Sequence, residues 1–318
     1  MSTPVAVVTG ASSGIGRATA LAFATGGAKV ALAARREGEL ERLAELCRQR
    51  GGEAVVVPTD VTDADAVSRL AARAVEQWGR IDVWVNNAAV NAFSRFGEEP
   101  AEVARRVLEV NALGQLHGAR AVLPQMRDQG EGVLIDVGSV LSVLPSPYQT
   151  AYVMSKHAVR ALSACLRQEL RDAPGVRVCT VLVGAVDTPL FDSAANHTGW
   201  ALKPLRPTYT PERVAAVIVR TARRPRDEVH VGAATRLMTV QHAVARRLSE
   251  RVTAAVVRRD HFTDAAAEPT DGNLFTTLPR GATTRGGWKD GGAAPTARRV
   301  ALAGAGLALP ALFLRRLR

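Results

Sequence analysis

The chain has 318 residues, of which 47% are hydrophobic, 22% charged and 4% aromatic, which excludes collagen-like and wholly disordered proteins. Its three cysteines fit no disulfide framework and no paired zinc motif, so we expect a cytoplasmic protein without a metal site. Residues 230–318 hold 14 basic and 6 acidic side chains and so carry +8 of the net +11, which predicts a main domain followed by a basic tail.

Short apolar runs alternate with segments of helical period along the first 232 residues. The runs that we expect to be strands are 5–9, 29–34, 54–58, 82–86, 133–138, 176–183 and 229–231. The predicted helices are 14–25, 37–50, 63–78, 100–127, 150–172 and 211–224. This alternation predicts an α/β protein whose residues 1–232 form a doubly wound, mostly seven-stranded parallel sheet.

The pattern changes after residue 232. Residues 233–260 carry an apolar stripe at helical spacing and are predicted to form one amphipathic helix. Residues 261–299 are rich in Gly, Ala and Thr, without a sustained period, and are interpreted as an irregular linker. Residues 300–318 are a short apolar tail whose uncharged part, 300–314, has arginines on both sides. As a helix that part would be about 22 Å long and so too short for a full membrane span. A peripheral membrane contact and a packed or solvated tail both stay open.

A glycine-rich turn follows the first predicted strand and leads into the first helix. Such a turn lets the backbone approach a phosphate, and the helix N-terminus offers unpaired N–H groups and a positive dipole end. Its position between strand and helix favours a dinucleotide-binding fold over an ordinary turn. The residues that we assign to cofactor binding here are Thr9, Gly10, Ser12, Ser13, Gly14, Ile15 and Gly16.

Two arginines, Arg35 and Arg36, end the second strand, where the adenosine ribose of a dinucleotide would lie. An acidic residue would favour NAD(H), whereas arginine pairs with a 2′-phosphate, so NADP(H) is favoured. The alternative is that the two arginines only mark the start of the next helix and are solvated. Asp60 and Val61, after the third strand, are candidates for the adenine site, unless Asp60 only caps a helix.

Tyr152 and Lys156 stand four residues apart and therefore share a helical face. A phenol titrates near 10, and a neighbouring cation favours its anion and is expected to lower that pKa. Such a pair is also common as a surface contact on a helix. Lysine is rare in this arginine-rich chain, which favours the functional interpretation.

Together these motifs resemble the short-chain dehydrogenases/reductases over about residues 5–231. Further matches are the Asn-Asn-Ala-like element that starts at Asn86, the position of Asn111, and Ser139, thirteen residues before Tyr152. Three positions depart from the family pattern: Ala89 replaces a glycine, Gly138 replaces the first serine of a Ser-Ser pair, and Val183 stands before Gly184 in place of a proline. The long tail is similar to that of a bacterial subgroup.

The resemblance implies a tetrad of Asn111, Ser139, Tyr152 and Lys156 that interconverts an alcohol and a carbonyl by hydride transfer with a nicotinamide cofactor. Ser139 would bond the carbonyl oxygen, Tyr152 would transfer the proton, Lys156 would favour the phenolate and bond the ribose, and Asn111 would hold a water. It also implies a homo-oligomer, either a dimer or a tetramer. The further cofactor contacts that it implies are Asn87, Ala88, Tyr152, Lys156, Gly184, Val186 and Thr188.

The loop after the sixth strand, residues 185–210, is predicted to cover the substrate. Its large side chains, among them Leu190, Phe191, Trp200, Leu202 and Tyr209, favour a lipophilic small molecule, although they could equally be ordinary core. The alternative function is a nucleotide-binding scaffold or sensor that has this fold without useful turnover. The basic tail has no aromatic platform or recognised motif for nucleic acid, so no nucleic-acid partner is expected.

Overall fold

Seven parallel strands form the central sheet of the computed structural model, which describes residues 3–279 and 281–288. The sheet order is β10-β7-β6-β4-β1-β2-β3, and the predicted α/β class with seven strands is confirmed. The strands are β1 (Val5–Thr9), β2 (Lys29–Ala34), β3 (Glu53–Pro58), β4 (Val83–Asn86), β5 (Ala92–Phe93), β6 (Gly132–Val137), β7 (Val176–Leu182), β8 (Ala195–Asn196), β9 (Trp200–Leu202), β10 (Glu228–His230) and β11 (Phe262–Ala266).

Helices cover both faces of this sheet. They are α1 (Gly14–Thr25), α2 (Glu37–Gln49), α3 (Ala64–Trp78), α4 (Ala101–Leu108), α5 (Gly114–Gln129), α6 (Thr150–Glu169), α7 (Leu190–Ser193), α8 (Pro211–Arg223), α9 (Ala233–Val244) and α10 (Arg246–Asp260). Successive strand residues point to opposite faces, so Val7 packs into one hydrophobic cluster and Val8 into the other. Helices α3 to α6 contribute to the first cluster, and α1, α2 and α8 to the second.

Local sequence signals account for where helices begin and change. The Thr210 side chain accepts a hydrogen bond from the Arg213 N–H at 3.3 Å, with Pro211 in the first helical position. The helix predicted over 100–127 is α4 and α5 joined by one π-helical turn, Glu109–Leu113. Such turns occur often at functional sites, and this one contains Asn111.

Residues 261–279 are more ordered than their composition indicated. Strand β11 pairs antiparallel with β9, and Thr270 bridges to Asn196, so this part of the segment interpreted as irregular contains a strand and regular contacts. His261 and Leu274 are buried. Composition did not reveal this order because it depends on pairing with β9 and Asn196, which lie far away in the sequence.

The amphipathic helix predicted over 233–260 is two helices, α9 and α10, that meet at Ala245. Its apolar stripe does not face the core: Val244 is 83% exposed, and the buried residues of the two helices are Thr235 and Val257. No helix in the described part of the chain is long and apolar enough to cross a membrane. The apolar tail, 300–318, lies outside the described residues.

Candidate active site

The glycine-rich turn lies at the carboxyl end of β1, the edge of a parallel sheet at which ligands bind in doubly wound folds. Gly10 has φ +65°, a conformation that favours glycine. A Cβ on Gly16 would lie 2.3 Å from the Gly10 carbonyl oxygen, so the turn closes only with glycine there. The turn therefore presents its backbone directly to the space above the sheet.

A cavity of about 330 Å³ extends from this turn along the sheet edge. It brings together most of the residues predicted to bind the cofactor. Those that line it are Gly10, Ser12, Ser13, Gly14, Ile15, Arg35, Arg36, Asp60, Val61, Asn87, Ala88, Tyr152, Lys156, Gly184, Val186 and Thr188, and Ser139 lines it as well.

Thr9 and Gly16 do not line the cavity, which differs from their predicted role in cofactor contact. The Thr9 Oγ1 instead accepts hydrogen bonds from the N–H groups of Asn87 at 3.0 Å and Ala88 at 3.2 Å. Gly16 packs against Gly10. Both residues lie behind the turn, where the strand and the helix pack closely, and hold it in shape. They do not form its open face.

Arg35 and Arg36 lie at the far end of the cavity. Burial lowers the pKa of both guanidinium groups, Arg35 more deeply buried than Arg36. Asp60 does not cap the next helix, because Asp63 does so. The Asp60 carboxylate accepts from the Thr62 N–H at 3.0 Å and from Arg106 Nη2 at 3.0 Å, so its oxygens are bonded within the protein while it lines the cavity.

Tyr152, Lys156 and Ser139 meet farther along the cavity, as their sequence spacing predicted. Lys156 Nζ lies 5.6 Å from the centroid of the Tyr152 ring and donates to the Val137 carbonyl at 3.0 Å. Burial raises the pKa of Tyr152 to about 12, and a hydrogen bond with the Ser139 hydroxyl opposes this rise. The predicted lowering by Lys156 is not found, since burial and the Ser139 hydrogen bond account for the shift. At neutral pH the phenol is therefore protonated and can donate a proton.

Burial likewise lowers the pKa of Lys156 to about 8, while the Asp136 carboxylate raises it by less. The ammonium ion is therefore the main form at neutral pH. The opposite shifts of Tyr152 and Lys156 have one cause, since desolvation favours the neutral form of each group.

Asp136, on β6, is a site residue that the sequence interpretation missed. It is fully buried, and its oxygens accept from Asn86 Nδ2 at 2.9 Å and from the Ser163 hydroxyl at 2.7 Å. Burial raises its pKa to about 6, against the effect of these hydrogen bonds, so it is an anion at pH 7. An acid inside an otherwise apolar strand was the available signal, because such a charge is rarely buried without a partner.

Asn111 does not line the cavity but holds the loop that does. Its Oδ1 accepts from the Val90 N–H at 2.8 Å, and its Nδ2 donates to the Val90 carbonyl at 2.9 Å and to the Ser155 hydroxyl at 3.0 Å. Both amide donors are used by the protein, so any water held at this position would bind elsewhere on Asn111. Ser155, a second missed residue, has no distinguishing signal in the sequence.

The cavity continues past Tyr152 between apolar side chains. Of the predicted covering residues, Leu190, Phe191 and Tyr209 line it, whereas Leu202 pairs with Phe262 in a strand and Trp200 is 51% exposed. The other side chains of this part are Val140, Leu141, Leu144, Ser146, Gln149, Leu205, Met238, Val257 and His261. Among the described residues no group of His, Cys, Asp and Glu is arranged to hold a metal ion.

Comparison with known proteins agrees with this arrangement. The family model described as short chain dehydrogenase matches residues 4–199. An uncharacterized oxidoreductase, YxnA of Bacillus subtilis, is 31% identical over 290 residues, which are 89% of this chain and 82% of that protein.

Two solved structures are similar as well. An alcohol dehydrogenase from the archaeon Thermococcus sibiricus, complexed with 5-hydroxy-NADP, is 32% identical with a TM-score of 0.64, over 72% of this chain and 96% of that one. A short-chain dehydrogenase/reductase from Burkholderia phymatum in complex with NAD is 29% identical with a TM-score of 0.69, over 77% and 95%. Relatives of this kind therefore hold either dinucleotide.

Proposed function

The chain belongs to the short-chain dehydrogenase family and is an oxidoreductase acting on alcohol or carbonyl groups with NAD(P); on that basis we propose that it uses NADP(H) and a lipophilic substrate. The observation that carries the proposal is one cavity whose lining includes Arg35 and Arg36, Tyr152 and the apolar side chains beyond Tyr152. The catalytic residues are Ser139, Tyr152 and Lys156, with Asn111 as a positioning residue.

The cavity fits a phosphorylated dinucleotide. Helix α1 begins at the cavity, which Gly14 and Ile15 line, and the N–H groups of a first helical turn point along the helix axis, which suits a pyrophosphate. Arg35 and Arg36 supply positive charge for a 2′-phosphate. Thr188, at the other side of the turn, comes so close that a Cβ on Gly14 would lie 3.2 Å from it. A residue larger than glycine would fill this part of the site.

When bound, the nicotinamide ring supplies or accepts the hydride. In the reducing direction Ser139 donates a hydrogen bond to the substrate carbonyl oxygen, and Tyr152 gives it a proton. The raised pKa of Tyr152 keeps that proton available at neutral pH. Lys156 stabilises the phenolate left behind, and Asp136 keeps Lys156 charged. In the oxidising direction Tyr152 takes the proton back.

The substrate class follows from the wall beyond Tyr152. Side chains such as Leu144, Phe191 and Met238 make much of that part of the cavity apolar, and its polar groups include Ser146, Gln149 and His261. A lipophilic alcohol or carbonyl compound suits such a wall better than a sugar. We further propose a homo-oligomer, assembled through the helices that begin near residues 100 and 150.

Direct titration of the purified chain with NADPH and NADH tests the cofactor. We expect NADPH to bind at least about 30-fold more tightly, because the 2′-phosphate gains charge-assisted hydrogen bonds that NADH lacks. Intrinsic fluorescence of the reduced nicotinamide gives both Kd values. Equal affinities would contradict the role of the arginines, and binding of neither by folded protein would remove the proposed function.

Asp136→Asn is expected to change the pH dependence of carbonyl reduction. Lys156 has a pKa of about 8 and is charged below it, so reduction should decline as pH rises through that value. Because Asp136 raises this pKa, its replacement lowers it, and the decline should begin at lower pH. Asparagine preserves the shape of the carboxylate.

The control is Asp172→Asn, the same chemical change at an exposed carboxylate that pairs with Arg127. The pH profile of kcat with saturating NADPH should shift for Asp136→Asn and stay near the wild-type position for Asp172→Asn. A profile of Asp136→Asn that matches the wild type would show that Asp136 is only structural.

A further inference from the structure

A segment of the C-terminal extension crosses the opening of the cofactor cavity. We call residues 271–279 and 281–288 the strap. Leu274 anchors one end: it is fully buried in the hydrophobic cluster that also includes Val103 and Val107 of α4. At the other end, Trp288 packs edge-on against Phe191 with ring centroids 6.3 Å apart.

The strap contacts both arginines of the proposed phosphate site. Arg35 Nη2 donates to the Asn273 carbonyl at 2.7 Å, and its Nη1 donates to the Leu274 carbonyl at 3.4 Å. Arg36 donates to the carbonyls of Leu278 and Gly281, both at 3.4 Å. The strap thus meets the cavity exactly where the charge that distinguishes NADPH from NADH would be bound.

These carbonyl groups orient the guanidinium groups without neutralising them. Arg35 makes no ion pair within the described chain, and burial lowers its pKa by more than the Asp60 carboxylate raises it. A partly buried cation whose hydrogen bonds go to neutral carbonyl groups is costly, and a bound anion offsets that cost. Each guanidinium has five N–H donors, so a phosphate and the strap can be bonded together.

Further along, the strap holds both sides of the glycine-rich turn. The Gly14 N–H, at the start of α1, donates to the Thr283 carbonyl at 3.0 Å. The Asp187 Oδ1 accepts from the N–H groups of Gly286 at 3.2 Å and Trp288 at 2.8 Å. The strap therefore bridges α1 and the loop after β7, the two walls between which a pyrophosphate would lie.

Strap residues are themselves part of the cavity wall. Asn273, Thr277, Leu278 and Gly281 line it together with the glycine-rich turn. With the strap in this position, the adenosine and phosphate end of the cavity is covered by the chain. A dinucleotide bound there could leave only after the strap had moved.

We infer that the strap closes over the adenosine-phosphate half of NADP(H), and that the 2′-phosphate and the closed strap stabilise each other through Arg35 and Arg36. The inference rests on the proposed NADP(H) function. The consequence is slow release of NADP(H). Before the cavity opens, the 2′-phosphate must lose its bonds to the two arginines, and the strap must lose the contacts that anchor its ends. Thermodynamic linkage requires the converse, that bound NADPH stabilises the closed position of the strap.

The test measures NADPH dissociation from the full-length chain by chasing the bound, fluorescent dinucleotide with excess NADP⁺. In Gly286→Ala the added Cβ would lie 2.5 Å from the Thr188 carbonyl oxygen, so the strap has to shift away. Leu274→Ala weakens the opposite end. We expect each to release NADPH at least about tenfold faster than the wild type.

Two matched controls carry the same chemical changes away from the strap. Gly38→Ala adds a methyl group in α2 where nothing lies within 4 Å, and Leu248→Ala shortens a side chain on α10 that is 51% exposed. Both should release NADPH at the wild-type rate. Thermal unfolding of every variant identifies any that is not folded.

Limited trypsin digestion of the wild-type chain gives a second measurement that needs no variant. The strap contains Arg285, and NADPH should slow cleavage there at least about tenfold, whereas NADH should slow it less. Cleavage is followed by mass spectrometry of the released C-terminal peptide. This readout stays informative if a strap variant fails to fold.

The outcomes separate the two proposals. If the wild-type chain binds no NADPH, the proposed cofactor is wrong. If it binds NADPH but both strap variants release it at the wild-type rate, or bind it more tightly, the strap does not close over the cofactor. Unchanged cleavage at Arg285 with saturating NADPH overturns the inference as well.

Discussion

Tyr152→Phe should reduce kcat/KM for NADPH-dependent carbonyl reduction by at least about 1,000-fold, because the variant loses the phenol that is hydrogen-bonded to Ser139 in the cavity. The ring itself stays, so packing and the NADPH Kd should change by less than about threefold. The assay is the loss of NADPH absorbance with the best compound from a panel of aliphatic and aromatic aldehydes and ketones.

Tyr148→Phe is the matched control, since Tyr148 lies in the same region but does not line the cavity. Its activity should stay close to wild type. The result also decides between the proposed enzyme and a nucleotide-binding scaffold. An unchanged rate in Tyr152→Phe would overturn the catalytic assignment, and a wild-type chain that binds NADPH but turns over no member of the panel would favour the scaffold.

The double substitution Arg35→Ser with Arg36→Ser should weaken NADPH binding by about 100-fold or more while changing NADH affinity far less. Charge-assisted hydrogen bonds to a phosphate contribute more binding free energy than neutral hydrogen bonds do. NADH lacks the 2′-phosphate and therefore has no such bonds to lose. Isothermal titration with both dinucleotides measures the ratio of the two Kd values. Loss of the strap contacts alone would weaken both dinucleotides together.

The pair Arg35→Lys with Arg36→Lys separates charge from geometry. Lysine keeps the positive charge but lacks the planar fork that can bond the strap carbonyls and a phosphate at once. We expect these variants to retain part of the preference for NADPH. If the serine variants keep the wild-type ratio of affinities, the cofactor preference is set by other residues and the proposed use of NADP(H) fails.

Much of the fold could be predicted because its signals are local. Strand β1 was expected at its observed limits, and the start of α8 follows from Thr210 and Pro211. The glycine-rich turn and the four-residue spacing of Tyr152 and Lys156 are likewise properties of short segments. In such segments backbone preferences and the period of the side chains are fixed by neighbours in the chain.

The errors have a common origin in contacts between distant segments. The strand β11 depends on pairing with β9, and the apolar stripe of α9 and α10 faces outward although its period is that of an amphipathic helix. Periodicity identifies an apolar face, but it does not say whether another element covers that face.

Local sequence patterns were enough to predict the parallel α/β sheet, the glycine-rich turn at the end of β1 and the side chains that meet near it. The protonation and surroundings of those side chains depend on the tertiary structure. Burial raises the pKa of Tyr152 where a lowering by Lys156 was expected, Asp136 supplies a buried counter-charge to Lys156, and the strap reaches Arg35 from 238 residues away. Burial and hydrogen bonding are set by which segments pack together, and no local pattern encodes that.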